Sequence, residues 1–154
     1  MTQKDNEVII TEAESADIPE IVRLEEKYIP GGWSYEGFAH WIEGERNIMF
    51  KAVKNGELTG FVNGSFVLDE GELLNIAVEE ELRGQGTAER LLAALCKVLK
   101  EKGVSVIFLE VRENNGRAQG FYRKSGFEKI GIRRNYYHDP EDNAVIMKKQ
   151  LEGE

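Results

Sequence analysis

The 154-residue sequence has a single cysteine, Cys96. One thiol excludes an internal disulfide and fits a reducing cytoplasm, the compartment expected for this chain. Cys96 lies mid-helix with no activating histidine in a motif beside it, which reads as core filler. No apolar run approaches the roughly 20 residues needed to span a bilayer, so no membrane role is expected. The opening "MTQKDNEVII" lacks a basic stretch followed by an apolar segment, and no secretory leader is expected there. Positive charge is also scarce. Lys plus Arg number 20 against 28 Asp plus Glu, a net charge of −8. That balance opposes direct nucleic-acid binding, which needs a positive surface to displace counterions. It favours a cationic partner as well as plain solubility. His40 and His138 share no ligand spacing with each other or with Cys96, so no metal is expected.

What is present is an ordinary globular composition, 41% apolar and 31% charged, without repeats, low-complexity tracts or linkers. The expectation is one domain over residues 1–154. Residues 7–13 read as a strand, and Ala16 to about Tyr28 as a helix with Ile18, Ile21, Val22 and Leu24 at helical spacing. "PGGW" (30–33) breaks the chain, and Ser34 can cap a second helix carrying Phe38, Trp41 and Ile42. Asn55-Gly56 marks a hairpin between residues 48–54 and 57–67. Residues 72–78 form the next strand. Gly86 to Lys102 is an amphipathic helix with Leu91, Leu92, Leu95, Val98 and Leu99 on one face, stopped by Gly103. "VSVIFLEV" (104–111) is so apolar that it reads as a strand covered on both faces. A short helix over 115–125, a strand from Phe127 and a last strand over 143–151 complete the chain. The order β-α-α-β-β-β-α-β-α-β-β predicts an α/β (α+β) fold, a mixed sheet with helices on both faces.

Two glycines, Gly84 and Gly86, stand between a strand and the longest helix. Inside a helix each would cost roughly 1 kcal/mol relative to alanine. At a turn they let the backbone bend tightly and leave the first helical amides unobstructed, which makes an anion site. The run Arg83-Gly84-Gln85-Gly86-Thr87-Ala88 is neither a P-loop, since no Gly-Lys-Ser/Thr follows, nor a dinucleotide GxGxxG.

This R-x-x-G-x-A run resembles the pyrophosphate-binding motif of the GNAT acetyltransferase superfamily. "LLNIAV" before it, then "FLEVRENN", "GFYRKSGFEKIGIRRNYY" and "AVIM", stand in the same order as in the RimI-like branch. Members of that branch acetylate the N-terminal alanine of a ribosomal protein. The likeness runs from about Val8 to the C-terminus. "GWS" (32–34) resembles the family's "PWS", with glycine in place of proline. Glu89 also departs from the family, where a basic residue is common just after the motif; it is expected to face solvent, with Arg83 and Arg90 supplying charge.

The resemblance implies a mostly antiparallel sheet with a splayed parallel strand pair at the cofactor cleft, residues 72–78 and 105–111. It implies acetyl-CoA as cosubstrate, held by Arg83, Gly84, Gln85, Gly86, Thr87 and Ala88, with Asn115 and the backbone of Ile76, Ala77 and Val78. It also implies a basic N-terminal peptide of a small-subunit ribosomal protein as acceptor, met by Trp33, Arg134, Asn135 and Tyr136. Asp139, Glu141 and Asp142 either face that peptide or form a solvated loop. A monomer or weak dimer is expected.

Amine acetylation needs a base for the attacking ammonium and an acid for the departing thiolate. Glu110 interrupts an apolar strand, where an ionisable group is costly without a partner or a task. It reads either as a structural partner of Arg112 or another cation, or, by resemblance, as the general base. Tyr122 reads as a core aromatic beside Phe121 and Phe127, or, by resemblance, as the general acid, since a phenol stays protonated at neutral pH. Asn115 can equally cap the following helix. Three other readings remain: acetylation of a different protein, acetylation of a small-molecule amine, and a non-catalytic acyl-CoA-binding module.

Overall fold

The computed structural model describes residues 7–29 and 32–151. Along the chain come β1 (Val8–Glu12), α1 (Ile18–Tyr28), α2 (Tyr35–Trp41), β2 (Asn47–Lys54), β3 (Glu57–Val67), β4 (Glu70–Val78) and α3 (Thr87–Glu101). Then follow β5 (Val106–Arg112), α4 (Gly116–Lys124), β6 (Glu128–Tyr137) and β7 (Asp142–Gln150). The element order is the one expected from the sequence.

Local chemistry explains most boundaries. The first helix starts two residues later than its periodicity implies, because Ser15–Asp17 form a 3₁₀ turn. Pro19 then occupies the first turn of α1, where its missing N–H removes no helical bond. The Asp17 carboxylate accepts from the Glu14 N–H and the Lys51 ammonium, both at 2.8 Å. Of the chain break at 30–33, Pro30 and Gly31 lie outside the described residues. Ser34 caps α2 as expected, its Oγ accepting the Gly37 N–H at 3.1 Å. Asn55 and Gly56 both have positive φ, as the two-residue hairpin turn requires.

The strands form one sheet in the order β1-β2-β3-β4-β5-β7-β6. Every neighbouring pair is antiparallel except β4 and β5. Helices cover both faces. On one, Leu91, Leu92, Leu95 and Leu99 of α3 and Tyr122 of α4 pack against Val62, Leu73, Leu109 and Val111. Each buried leucine contributes roughly 1.5–3 kcal/mol, so the body of α3 is firmly docked. On the other face, Ile18, Ile21 and Leu24 of α1 and Phe38 of α2 pack on Phe61 and Ala77.

The parallel pair is short. It joins Glu70 to Val106, Gly71 to Ile107 and Glu72 to Phe108, and then stops. Just past that point Leu74 is an extra residue in β4, since Leu73 pairs with Gly64 and Asn75 with Asn63. Such a bulge bends its strand. From Leu73 to Val78, β4 is bonded only to β3, and from Leu109 to Arg112, β5 is bonded only to β7. The two strands therefore diverge into an open wedge. This corrects one expectation: β5 is not covered on both faces. Ile107, Leu109 and Val111 are buried, whereas Val106, Phe108, Glu110 and Arg112 are only half-buried, because the wedge opens beside them.

Candidate active site

The wedge widens into a cleft of about 1200 Å³. Its floor is the free edge of β4, including Ile76, Ala77 and Val78. Arg83, Gly84, Thr87 and Ala88 line the end where α3 begins. Gly84 and Gly86 have φ of +81° and +87°, and nothing lies within 4 Å of where a Cβ would stand on either. Gly86 occupies the N-cap position of α3 without any side-chain cap. Among the described residues, no acceptor meets the main-chain N–H groups from Gly84 to Ala88. Together with the roughly half positive charge at a helix N-terminus, these free donors make a cradle for a diphosphate-like anion.

Gln85 and Gly86 belong to the turn but do not line the cleft. The Gln85 amide donates back to the Glu81 carbonyl at 3.1 Å, so it leaves the cradle open. Arg83 lines the cleft with its guanidinium 4.6 Å from the centre of the Tyr28 ring. Arg90 does not lie there. Its Nη1 donates to the Val8 carbonyl at 2.8 Å, on the far side of α3, which corrects the expectation that it supplies charge to the cradle. Glu89 is exposed, as expected, yet it also stands on the cleft rim.

Behind the cradle a charged network pins the turn to α1. Glu79 accepts from Arg23 at 2.9 Å, Lys27 at 3.0 Å and the Tyr28 hydroxyl at 3.0 Å. The same hydroxyl accepts the Glu80 N–H at 2.9 Å. Burial disfavours the Glu79 carboxylate, but the bonds from Lys27, Arg23 and Tyr28 outweigh it and hold the carboxyl below its ordinary range.

Glu110 and Tyr122 both line the cleft. Glu110 does not pair with Arg112 but does meet another cation. Its Oε2 lies 3.4 Å from the exposed Arg133 guanidinium. Arg112 instead donates to the Pro140 carbonyl at 2.8 Å and stacks over Tyr137. Tyr122 is buried between Phe121 and Phe127, with ring centroids at 5.4 and 5.7 Å, and burial, then Tyr137, pushes its phenol well above the ordinary range. Tyr122 thus packs in the core and also lines the cleft. Asn115 lines the cleft, and its Oδ1 accepts the Ala118 N–H at 3.0 Å as the cap of α4.

Trp33 and Tyr136 also line the cleft. Arg134 and Asn135 do not. They sit where β6 loses register between Arg133 and Tyr137, with the Asn135 N–H held by the Asn143 side chain at 2.8 Å. Contact with the Glu110 carboxylate, then burial, raises the Tyr136 phenol. Tyr137 is pushed up to about 12 by burial and then by Glu110.

Two carboxylates in the cleft went unnoticed in the sequence. Glu72, at the last parallel pair, is raised by burial and then by Glu110. Glu25 is fully buried in α1 and lines the cleft. A signal for Glu25 existed: it lies four residues after Ile21 and seven after Ile18, on the helix's apolar face. Among the described residues no cluster of His, Cys, Asp and Glu has the makings of a metal site. No described helix is long and apolar enough to cross a membrane.

The profile described as "Acetyltransferase (GNAT) family" matches residues 18–127, the span from α1 to just past α4. The chain is a GNAT acetyltransferase. It is 39% identical over 142 residues to the [ribosomal protein bS18]-alanine N-acetyltransferase of Haemophilus influenzae, covering 90% of this chain and 96% of that one. It is 37% identical over 140 residues to the enzyme of the same name from Escherichia coli K12, covering 90% and 94%. The crystal structure of the ribosomal-protein-S18-alanine N-acetyltransferase from Escherichia coli superposes with a TM-score of 0.87 at 35% identity, covering 96% of each chain. This GNAT enzyme is an N-acetyltransferase built on the mixed sheet expected from its sequence.

Proposed function

We propose that this GNAT enzyme, one domain over residues 1–154, transfers an acetyl group from acetyl-CoA to the N-terminal α-amine of a small-subunit ribosomal protein in the cytoplasm. The N-terminal residue of that acceptor is alanine. The observation that carries the reaction is the meeting of Glu110, Tyr122 and the open Gly84–Ala88 turn in one cleft. The acceptor rests on the high identity to alanine N-acetyltransferases across nine-tenths of the chain.

The coenzyme supplies an acyl thioester. The free amides of the turn and the α3 N-terminus hold its diphosphate, Arg83 adds charge, and Asn115 has its Nδ2 left to offer. Glu110 takes the proton of the attacking ammonium, whose pKa near ~7.7–8 asks only for a modest base. N–H groups on the free edge of β4, around Ile76 to Val78, offer donors to the developing oxyanion. Tyr122, kept protonated by burial, hands its proton to the sulfur as the thiol leaves. Trp33 and Tyr136 flank the incoming peptide.

The test is mass spectrometry of a ribosomal protein fraction incubated with the enzyme and labelled acetyl-CoA. One acetyl group on the N-terminal alanine of a small-subunit protein is expected. No labelled protein, with thiol release on a polyamine or antibiotic instead, would overturn the acceptor.

A further inference from the structure

Glu25 is 0% exposed, and its two oxygens have different fates. Oε2 accepts the Trp33 N–H at 3.0 Å. Oε1 has no partner among the described residues. A buried carboxylate oxygen without a donor is costly, and folded proteins retain such groups where another molecule completes them. The turn is also built around this side chain, since a Cβ on Gly32 would collide with Cγ of Glu25.

Its place in the fold says which ligand. Glu25 stands on α1, whose core partners Phe61 and Ala77 lie on the sheet face opposite α3. On β5, Leu109 and Val111 belong to the α3 side, so the alternation of the strand puts Glu110 on the face of α1. Glu25, Trp33, Glu72, Glu110 and Tyr136 therefore share one side of the cleft, away from the amide cradle. A diphosphate is repelled by these carboxylates. A peptide N-terminus, rich in N–H donors and positively charged, is attracted.

We infer that Glu25 is a specificity-determining residue for the acceptor, holding the Trp33 turn with one carboxylate oxygen and receiving an N–H of the peptide's first residues with the other. The inference rests on the peptide-acetylating function proposed above. The carboxyl, raised by burial to about 7 with the Trp33 N–H acting against that rise, is poised to ionise when a donor arrives.

Glu25→Gln tests this, because an amide has one acceptor and cannot serve Trp33 and the peptide together. The measurement is titration of the CoA-bound enzyme with a peptide beginning Ala-Arg, followed by calorimetry, beside a separate titration with acetyl-CoA. Loss of a charge-assisted hydrogen bond predicts peptide affinity about 10–100-fold weaker and coenzyme affinity unchanged. Gly32→Ala, which displaces the carboxylate and keeps its charge, is expected to weaken the peptide in the same way. Thermal melting and coenzyme binding verify that each variant is folded. Normal peptide binding by wild type and by both variants overturns the assignment of Glu25 alone. Absence of peptide binding by wild type, with coenzyme bound, removes the peptide-acetylating function and this assignment with it.

Discussion

Oε2 of Glu110 and Nη2 of Arg133 lie 3.4 Å apart, and the side chains are 23% and 57% exposed. An ion pair this open contributes about 0–1 kcal/mol, too little to explain a carboxylate in the middle of an apolar strand. A catalytic role accounts for it better. Glu110→Gln is expected to lower kcat/KM by about 10²–10⁴, with acetyl-CoA affinity and melting temperature close to wild type. Steady-state kinetics alongside a thermal melt decide this. A fall in stability with activity retained would restore Glu110 to a purely structural part.

Tyr122 separates its two duties in the same way. Tyr122→Phe keeps the ring that packs between Phe121 and Phe127 and removes only the hydroxyl, with the proton it would donate. The expected result is a folded enzyme of normal stability whose kcat falls by about 10²–10⁴. Because burial raises the phenol, the wild-type rate should show no loss from Tyr122 ionisation on the alkaline side up to pH 10. A pH–rate profile of both proteins carries the comparison.

The cradle depends on backbone shape more than on space. Both Gly84 and Gly86 have room for a Cβ, but at φ near +80° any other L-residue is strained by about 1–2 kcal/mol. Gly84→Val is therefore expected to bend the turn away from its present course and weaken acetyl-CoA at least about tenfold, while the leucine-docked body of α3 keeps the fold. Calorimetric titration with CoA would contradict this if the affinity were unaltered.

These residues also mark the limit of what the sequence discloses. Asn55-Gly56, the leucine stripe of α3 and the glycine turn carry backbone preferences in their own chemistry, so their structures could be read in advance. The bulge at Leu74 has no such mark, because an extra residue in a strand is defined only by its partner. The splay that forms the cleft was thus available only through the family likeness. Glu25 and Glu26 are the same residue type and only helical spacing separates them, yet one is fully buried and the other exposed. Nothing in the sequence marks Arg133 as the arginine beside Glu110, because the contact depends on how β6 runs along β7.

Two facing asparagines bear on stability. Asn63 is 0% exposed, and neither Oδ1 nor Nδ2 has a partner among the described residues. Nδ2 of Asn75, directly across the strand pair, is also unpartnered. Leaving such groups dry costs about 1–3 kcal/mol. Asn63→Leu, similar in volume and free of polar atoms, is expected to stabilise the fold by about that amount in urea unfolding. Destabilisation instead would mean that the two amides enclose an ordered water.

The pH dependence of stability carries a signature of Glu25. Its carboxyl has a folded pKa of about 7 against an ordinary value of 4.5, owing first to burial, with the Trp33 N–H opposing. Between those two values the folded protein keeps a proton that the unfolded chain has released. Stability therefore falls as pH rises through that window, and above it the full cost of roughly 3 kcal/mol is present. Glu79 has the opposite sign: its depressed pKa supports the fold above the ordinary carboxylate range and ceases to do so on acidification. The raw profile mixes the two, so the useful quantity is the difference between wild type and Glu25→Gln. Relative to wild type, the variant should gain stability from pH 5 to about pH 7 and level off above it, while Glu79 cancels. Parallel unfolding curves across that range would mean that the buried carboxyl is not the titrating group, and that its free oxygen finds a donor in the folded chain.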